Sequence, residues 1–225
     1  MVIYVYVEGG VINGNVDATT ASNSEALREE LNRFMQKALG REDVTIVVKK
    51  CAGYKNAVKE FINSDSTHST YLYVDLDRVP ELREDWFNGL VEDDICIPED
   101  RKSRICFWIQ EMEAWFLKQP QAIEDWAADE GYLRFTGQEA HVADHHSIAG
   151  KDIEHLQHKA SYVLTTILRQ KFMLEPRNGK RQKLRYGKLR HAPGIIAHLS
   201  PAALIEKDNE LRCFCEKVKD QAEAI

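Results

Sequence analysis

Short apolar runs alternate along this chain with longer stretches in which apolar residues recur every three or four positions. The first rhythm belongs to buried strands and the second to helices packed on one face, so the alternation predicts an α/β fold with a mostly parallel sheet. The first run is Val2-Ile3-Tyr4-Val5-Tyr6-Val7-Glu8, a strand over about residues 2–8. Gly9, Gly10, Asn13, Gly14 and Asn15 follow as a loop able to bring backbone close to a ligand. Asn23 or Ser24 then predicts an N-cap, with Leu27, Leu31, Phe34, Met35 and Ala38 as the apolar face of a helix that Gly40 ends. A second strand spans 44–48 and leads through Cys51-Ala52-Gly53 into a helix carrying Ala57, Val58, Phe61 and Ile62.

The third strand, 71–74, delivers Asp75 and Asp77, and Pro80 suits the first turn of a helix running to about Leu90. A fourth strand, 105–109, runs into a helix whose first turn holds Glu111 and Glu113. Pro120 starts another helix. Residues 131–150 read as irregular, 151–173 as one long helix, and short helices are expected near 201–205 and 209–218. There is no internal repeat and no low-complexity linker, so residues 1–118 are expected to form the α/β core and 119–225 a helical extension packed on it as one unit.

Two of the strands end in acids. In open α/β sheets such tips line the ligand crevice. Asp75 and Asp77 are two apart, so in an extended segment they point the same way, and Glu8 can converge on them from a neighbouring strand. Three carboxylates meeting there would make a Mg²⁺ site.

The chain has 225 residues, 44% of them hydrophobic, and a formal net charge of −6. That length supports one substantial core. No apolar run approaches the length of a membrane span, and the chain opens on a strand pattern without a basic leader, so a soluble, cytoplasmic protein is expected with no membrane partner. Five cysteines, with only Cys213 and Cys215 closely spaced, suggest reduced and mostly packed thiols rather than structural zinc. The net charge argues against strong non-specific nucleic-acid binding, but the charges are unevenly spread. Ten acids lie between Asp75 and Asp100, whereas residues 176–205 contain none and carry Arg177, Lys180, Arg181, Lys183, Arg185, Lys188 and Arg190. Metal at one place and phosphate at another is the reading this polarity invites.

Several segments together resemble a known family. Val7-Glu8-Gly9-Gly10, Cys51-Ala52-Gly53-Tyr54, Val74-Asp75-Leu76-Asp77, the run from Gln110 to Leu117 and Tyr186-Gly187-Lys188 are similar to the toprim-like family catalogued as domain of unknown function 4276. That family is related to toprim nucleases of the overcoming-lysogenization-defect type and is often encoded beside ABC-type ATPases in bacterial anti-phage defence loci. The resemblance implies a toprim-like core with a four-stranded, mostly parallel sheet, plus a C-terminal helical extension. It further implies a Mg²⁺- or Mn²⁺-dependent nuclease acting on DNA or structured RNA, with an ATPase partner and a possible homo-oligomer.

Under that reading Asp75 and Asp77 hold the metal, and Glu8 completes its shell or acts as general base or acid. Glu113, and with it Glu111, adds ligands from the neighbouring helix start. Lys183, Lys188 and Arg190 are the candidates for neutralising the phosphate backbone.

Each residue also has an ordinary structural use. Strand-tip acids cap helices, Glu111 and Glu113 suit the positive end of a helix, and basic runs are often solvated surface. His141, Asp144, His145 and His146 are spaced closely enough for a transition-metal site, yet their segment reads as a surface loop. Trp86, Trp108, Trp115 and Trp126 fit as packing anchors. The competing functional class is a non-catalytic subunit that keeps the scaffold and binds an ATPase or a phage-derived trigger. A receiver-type phosphoacceptor ranks last, because Glu8 is followed by Gly9 rather than a second acid.

Overall fold

Alternation within each strand decides how the layers stack. Ile3, Val5 and Val7, with Tyr71, Tyr73, Cys106 and Trp108, belong to one hydrophobic cluster, while Leu72, Val74, Ile105 and Phe107 belong to a second on the opposite face of the same sheet. The computed structural model describes residues 1–9, 18–64, 69–135, 137, 140–177 and 180–224. The glycine and asparagine loop expected after Gly9 lies outside them.

The parallel sheet is built from β1 (Val2–Gly9), β2 (Thr45–Ala52), β3 (Ser69–Asp75) and β4 (Ile105–Trp108) in the order β2-β1-β3-β4. The intervening helices are α1 (Ala18–Leu39), α2 (Tyr54–Asn63), α3 (Arg83–Glu92) and α4 (Glu99–Lys102). Helix α1 packs on the first face of the sheet and α2 on the second. Helices on both faces are what a parallel sheet requires when its path reverses from one side of the first strand to the other. That reversal lies between β1 and β3.

The core thus follows the expected α/β plan, with shifted boundaries. Helix α1 begins at Ala18, not at Asn23 or Ser24, and Ser24 is buried within it. Gly40 does end it, adopting φ of 65°, a left-handed conformation that costs glycine nothing. The turn after β4 delays the next helix, α5 (Ala114–Lys118), so Glu111 and Glu113 precede it instead of occupying its first turn. A 3-10 turn over Pro80–Leu82 opens the helical stretch that ends as α3.

Beyond α5 come α6 (Pro120–Asp129), β5 (Leu133–Arg134), α7 (Ala160–Lys171), β6 (Phe172–Arg177), β7 (Lys180–Lys183), α8 (Lys188–His198), α9 (Pro201–Lys207) and α10 (Asn209–Glu223). This part is not purely helical: β5, β6 and β7 form a second, antiparallel sheet. The expected long helix over 151–173 is also replaced. Asp152 caps a 3-10 turn at Ile153–His155, Lys159 is extended, and α7 starts only at Ala160. Helix α8 was not foreseen, because Pro193 and Gly194 interrupt its middle. Gly194 is needed there: a Cβ would lie 2.6 Å from Nε1 of Trp126, so the absence of a side chain is what lets α8 approach α6.

The first hydrophobic cluster runs from Ile3 to Val218 and crosses the boundary at 118, joining the extension to the sheet. Its centre is aromatic: the Trp115 ring lies 5.2 Å from Phe34, 5.8 Å from Tyr73 and 5.6 Å from Trp108. The Tyr73 and Trp108 contacts are edge-to-face, and pairs of this kind add roughly 0.5–1.5 kcal/mol each beyond area burial. Trp86 anchors the second cluster, edge-on to Phe107 at 5.0 Å. The β4 edge is closed by α10, whose Glu210 accepts a hydrogen bond from Phe107 N at 3.0 Å and pairs with Arg83. No helix among the described residues is long and apolar enough to cross a membrane.

Candidate functional site

Glu8 and Asp75 lie at the C-terminal tips of β1 and β3, the two strands between which the chain path reverses. Val7 pairs with Tyr73, so both carboxylates stand just beyond the last shared pair, at the position where open α/β sheets bind ligands.

Asp75 is held tightly. One carboxylate oxygen accepts a hydrogen bond from Met112 N at 2.9 Å, and the other faces Lys188 Nζ at 3.2 Å. Its side chain is 12% exposed. Burial pushes its pKa up to about 7, with Lys188 opposing the shift and the negative fields of Glu113 and Glu8 adding to it. Glu8 is shifted upward for the same first reason, burial, opposed by Lys188 and increased by Asp77.

Glu113 is 2% exposed. Its Oε1 accepts a hydrogen bond from the Tyr186 hydroxyl at 2.9 Å. Its Oε2 has no hydrogen-bond partner and lies 3.7 Å from Lys188 Nζ. Burial and the neighbouring Glu113 raise the Tyr186 hydroxyl well above its usual range, so it remains a donor. Burial alone would lower Lys188, but Asp75 and Glu113 outweigh it and hold the ammonium charged.

Asp77 departs from expectation. Strand β3 ends at Asp75, and Asp77 adopts φ of 60°, so the two aspartates do not project from one extended segment. Asp77 N donates to Gln110 O at 2.7 Å, and Gln110 is itself left-handed at φ 61°. Two non-glycine residues in that region store roughly 1–3 kcal/mol each, strain that collects where a loop must aim a functional group. The Asp77 carboxylate points to Lys159 Nζ at 2.5 Å and is 58% exposed.

Glu111 shares that lysine, 3.7 Å from its Oε1, while its Oε2 accepts a hydrogen bond from Ser161 N at 2.9 Å and so caps α7. Lys159 was not among the residues singled out in the sequence. It sits in an extended link without periodicity, and only the fold brings it to the acids.

The centre thus gathers Glu8, Asp75, Asp77, Glu111 and Glu113 around Lys159 and Lys188, a formal excess of three negative charges. All the acidic donors are hard oxygens, the set Mg²⁺ and Mn²⁺ prefer, and the unpartnered Oε2 of Glu113 offers a lone pair within it. As the side chains stand, however, no group of three or more His, Cys, Asp or Glu among the described residues is gathered closely enough to hold a metal ion. Lys188 occupies the space between Asp75 and Glu113.

The three basic residues expected to act together are divided. Lys188 belongs to the acids, whereas Lys183 and Arg190 line a separate cavity of about 470 Å³. Two histidines of the 141–146 cluster are engaged by structural partners. His145 is buried, with Nε2 2.8 Å from Gln170 and Nδ1 accepting Ser147 N, and His141 faces Glu124 at 3.3 Å. No family model matches the chain, and it matches no curated protein and no solved structure.

Proposed function

We propose that this protein is a divalent-metal-dependent nuclease of toprim type that cleaves phosphodiester bonds in DNA or structured RNA, the effector of an anti-phage system under an ABC-type ATPase. The observation that carries the chemistry is the excess of carboxylates over ammoniums at the sheet's reversal point. The ATPase and the defence setting rest on the family resemblance.

Asp75 and Glu113 would hold Mg²⁺ or Mn²⁺, with Asp77 and Glu111 at the rim. When bound, the ion polarises the phosphoryl group and eases deprotonation of water. The protein's own groups supply the rest. Glu8, with its raised proton affinity, accepts the proton from the attacking water. Tyr186 orients Glu113 through its hydroxyl. Lys188 leaves Asp75 and Glu113 to meet the phosphate oxygens, and Lys159 does the same from the rim.

A second reading is supported by that same Lys188. Its ammonium already sits against Asp75 and Glu113, as it would in a scaffold subunit that performs no chemistry. The two readings part in a cleavage assay on DNA and transfer-RNA substrates, with and without Mg²⁺, comparing wild type with Glu8→Ala and Asp75→Ala. Metal-dependent cleavage lost in both variants supports the nuclease; cleavage surviving both overturns it. Cleavage appearing only when a co-encoded ATPase is added identifies a conditional effector.

A further inference from the structure

The second basic centre has the opposite charge arrangement. Arg169 from α7, Lys183 from β7, Arg185 from the following link and Arg190 from α8 line one cavity of about 470 Å³, together with Gln182 and His191. Among the described residues the side chains of these four cations make no ion pair and no hydrogen bond. Several arginines elsewhere are ion-paired: Arg28 with Glu25, Arg41 with Asp43, Arg78 with Asp85, Arg83 with Glu210 and Arg134 with Glu124.

Four like charges from four different elements repel one another, and among the described residues no acid pairs with them. Residues 176–205, which supply three of the four, contain none. His191 adds a second observation. It is 4% exposed, its Nδ1 accepts Gly187 N at 2.9 Å, and its Nε2, the nitrogen left to carry the proton, has no partner.

We propose that this cavity holds the backbone phosphates of the nucleic-acid strand whose scissile bond lies at the carboxylates. The connecting segment supports that path. Tyr186 and Lys188 reach the acids, while Arg185 and Arg190 line the cavity, so consecutive residues of one turn serve both centres. Guanidinium forks suit phosphate oxygens, which accept two parallel hydrogen bonds. The proposal rests on the nuclease reading for its ligand, but not for its charge chemistry.

The test uses the full chain in EDTA, where no metal-dependent cleavage occurs, and measures anisotropy of a fluorescein-labelled single-stranded 12-mer with pyrophosphate as competitor. The double variant Arg185→Gln/Arg190→Gln is expected to weaken strand binding at least 10-fold. It should also flatten the dependence of log K on log salt by about 1.4, since each phosphate contact on a single strand contributes about 0.7. Arg169→Gln, on a different element, should reproduce half that change in slope. Unchanged thermal melting shows that the variants fold.

Pyrophosphate that binds in wild type but not in the double variant, with no strand binding, keeps the anion site and overturns the strand as its occupant. Binding equal in wild type and double variant, or no binding of either probe, overturns the site. Cleavage by Asp75→Ala is scored separately. Strand binding that persists in Asp75→Ala without cleavage supports both readings, and strand binding without any wild-type cleavage overturns the nuclease alone.

Discussion

The acid centre and the basic cavity lie on either side of one turn and treat their charges in opposite ways. The acids bring counterions with them: Asp75 and Glu113 share Lys188, and Asp77 and Glu111 share Lys159. Among the described residues the cations of the cavity bring none. The difference shows what each centre requires to be stable in the folded protein. Buried carboxylates cannot remain uncompensated in a medium of low dielectric, so the chain places lysines against them. Exposed arginines stay hydrated, tolerate one another at modest cost and remain open to a ligand.

The largest effect that would break the comparison concerns activity. Asp75→Asn keeps the shape and the hydrogen bond from Met112 but removes a charge, and cleavage is expected to fall about 10³-fold, roughly 4 kcal/mol of barrier. A single-turnover rate within about 10-fold of wild type would show that the acid centre is structural.

Next comes Lys188→Met. It leaves Asp75 and Glu113 facing each other, and stability in EDTA should drop by about 2 kcal/mol. This is less than the 3–5 kcal/mol of a fully buried pair, because Lys188 is 42% exposed. Mg²⁺ should then raise the melting temperature of the variant more than that of wild type. Equal gains would mean that the lysine and the metal do not compete for one place.

A smaller effect is expected from pH. The folded pKa of Asp75, about 7, lies above its unfolded value, so the native state binds the extra proton between about pH 4 and 7. Stability from this group is therefore lost as pH rises through that window. In EDTA, Asp75→Asn should melt above wild type at pH 8 by a few degrees, for a gain of about 1 kcal/mol, with the gap closing towards pH 5. A constant gap across that range would show that Asp75 does not titrate there.

The smallest effect marks the other side of the comparison. Arg185→Gln relieves repulsion instead of breaking a pair, so it should leave stability unchanged or raise it by about 0.3 kcal/mol. A loss above about 1 kcal/mol in chemical denaturation would mean that the arginine has a structural role.

The two regions also differ in how far they could be read before folding. The parallel sheet is written in runs such as Tyr71-Leu72-Tyr73-Val74, whose residues are buried on both faces and so carry a strong local signal. Glu8 and Asp75 inherit that clarity from the strands that carry them, and both lie near Glu113 around Lys188. Asp77 does not follow the strand, because its left-handed backbone is fixed by Gln110, a partner 33 residues away that no local pattern specifies.

Lys159 is placed by the same kind of distant contact. Strand β6 opens on Phe172-Met173-Leu174, an apolar run that continues the helical pattern of α7, β7 is charged and polar without alternation, and α8 hides behind Pro193 and Gly194. Their form comes from tertiary packing, such as the fit of Gly194 against Trp126, and not from local propensity.

Glu210 carries one more consequence. By accepting Phe107 N it occupies a donor that an incoming strand would need, and α10 covers the flank of β4. The opposite border is finished in the same way, since Ile46 N and Val48 N of β2 already donate to Gln36 Oε1 and Asn32 Oδ1 of α1. A second chain seeking to lengthen the parallel sheet therefore meets occupied donors at either edge.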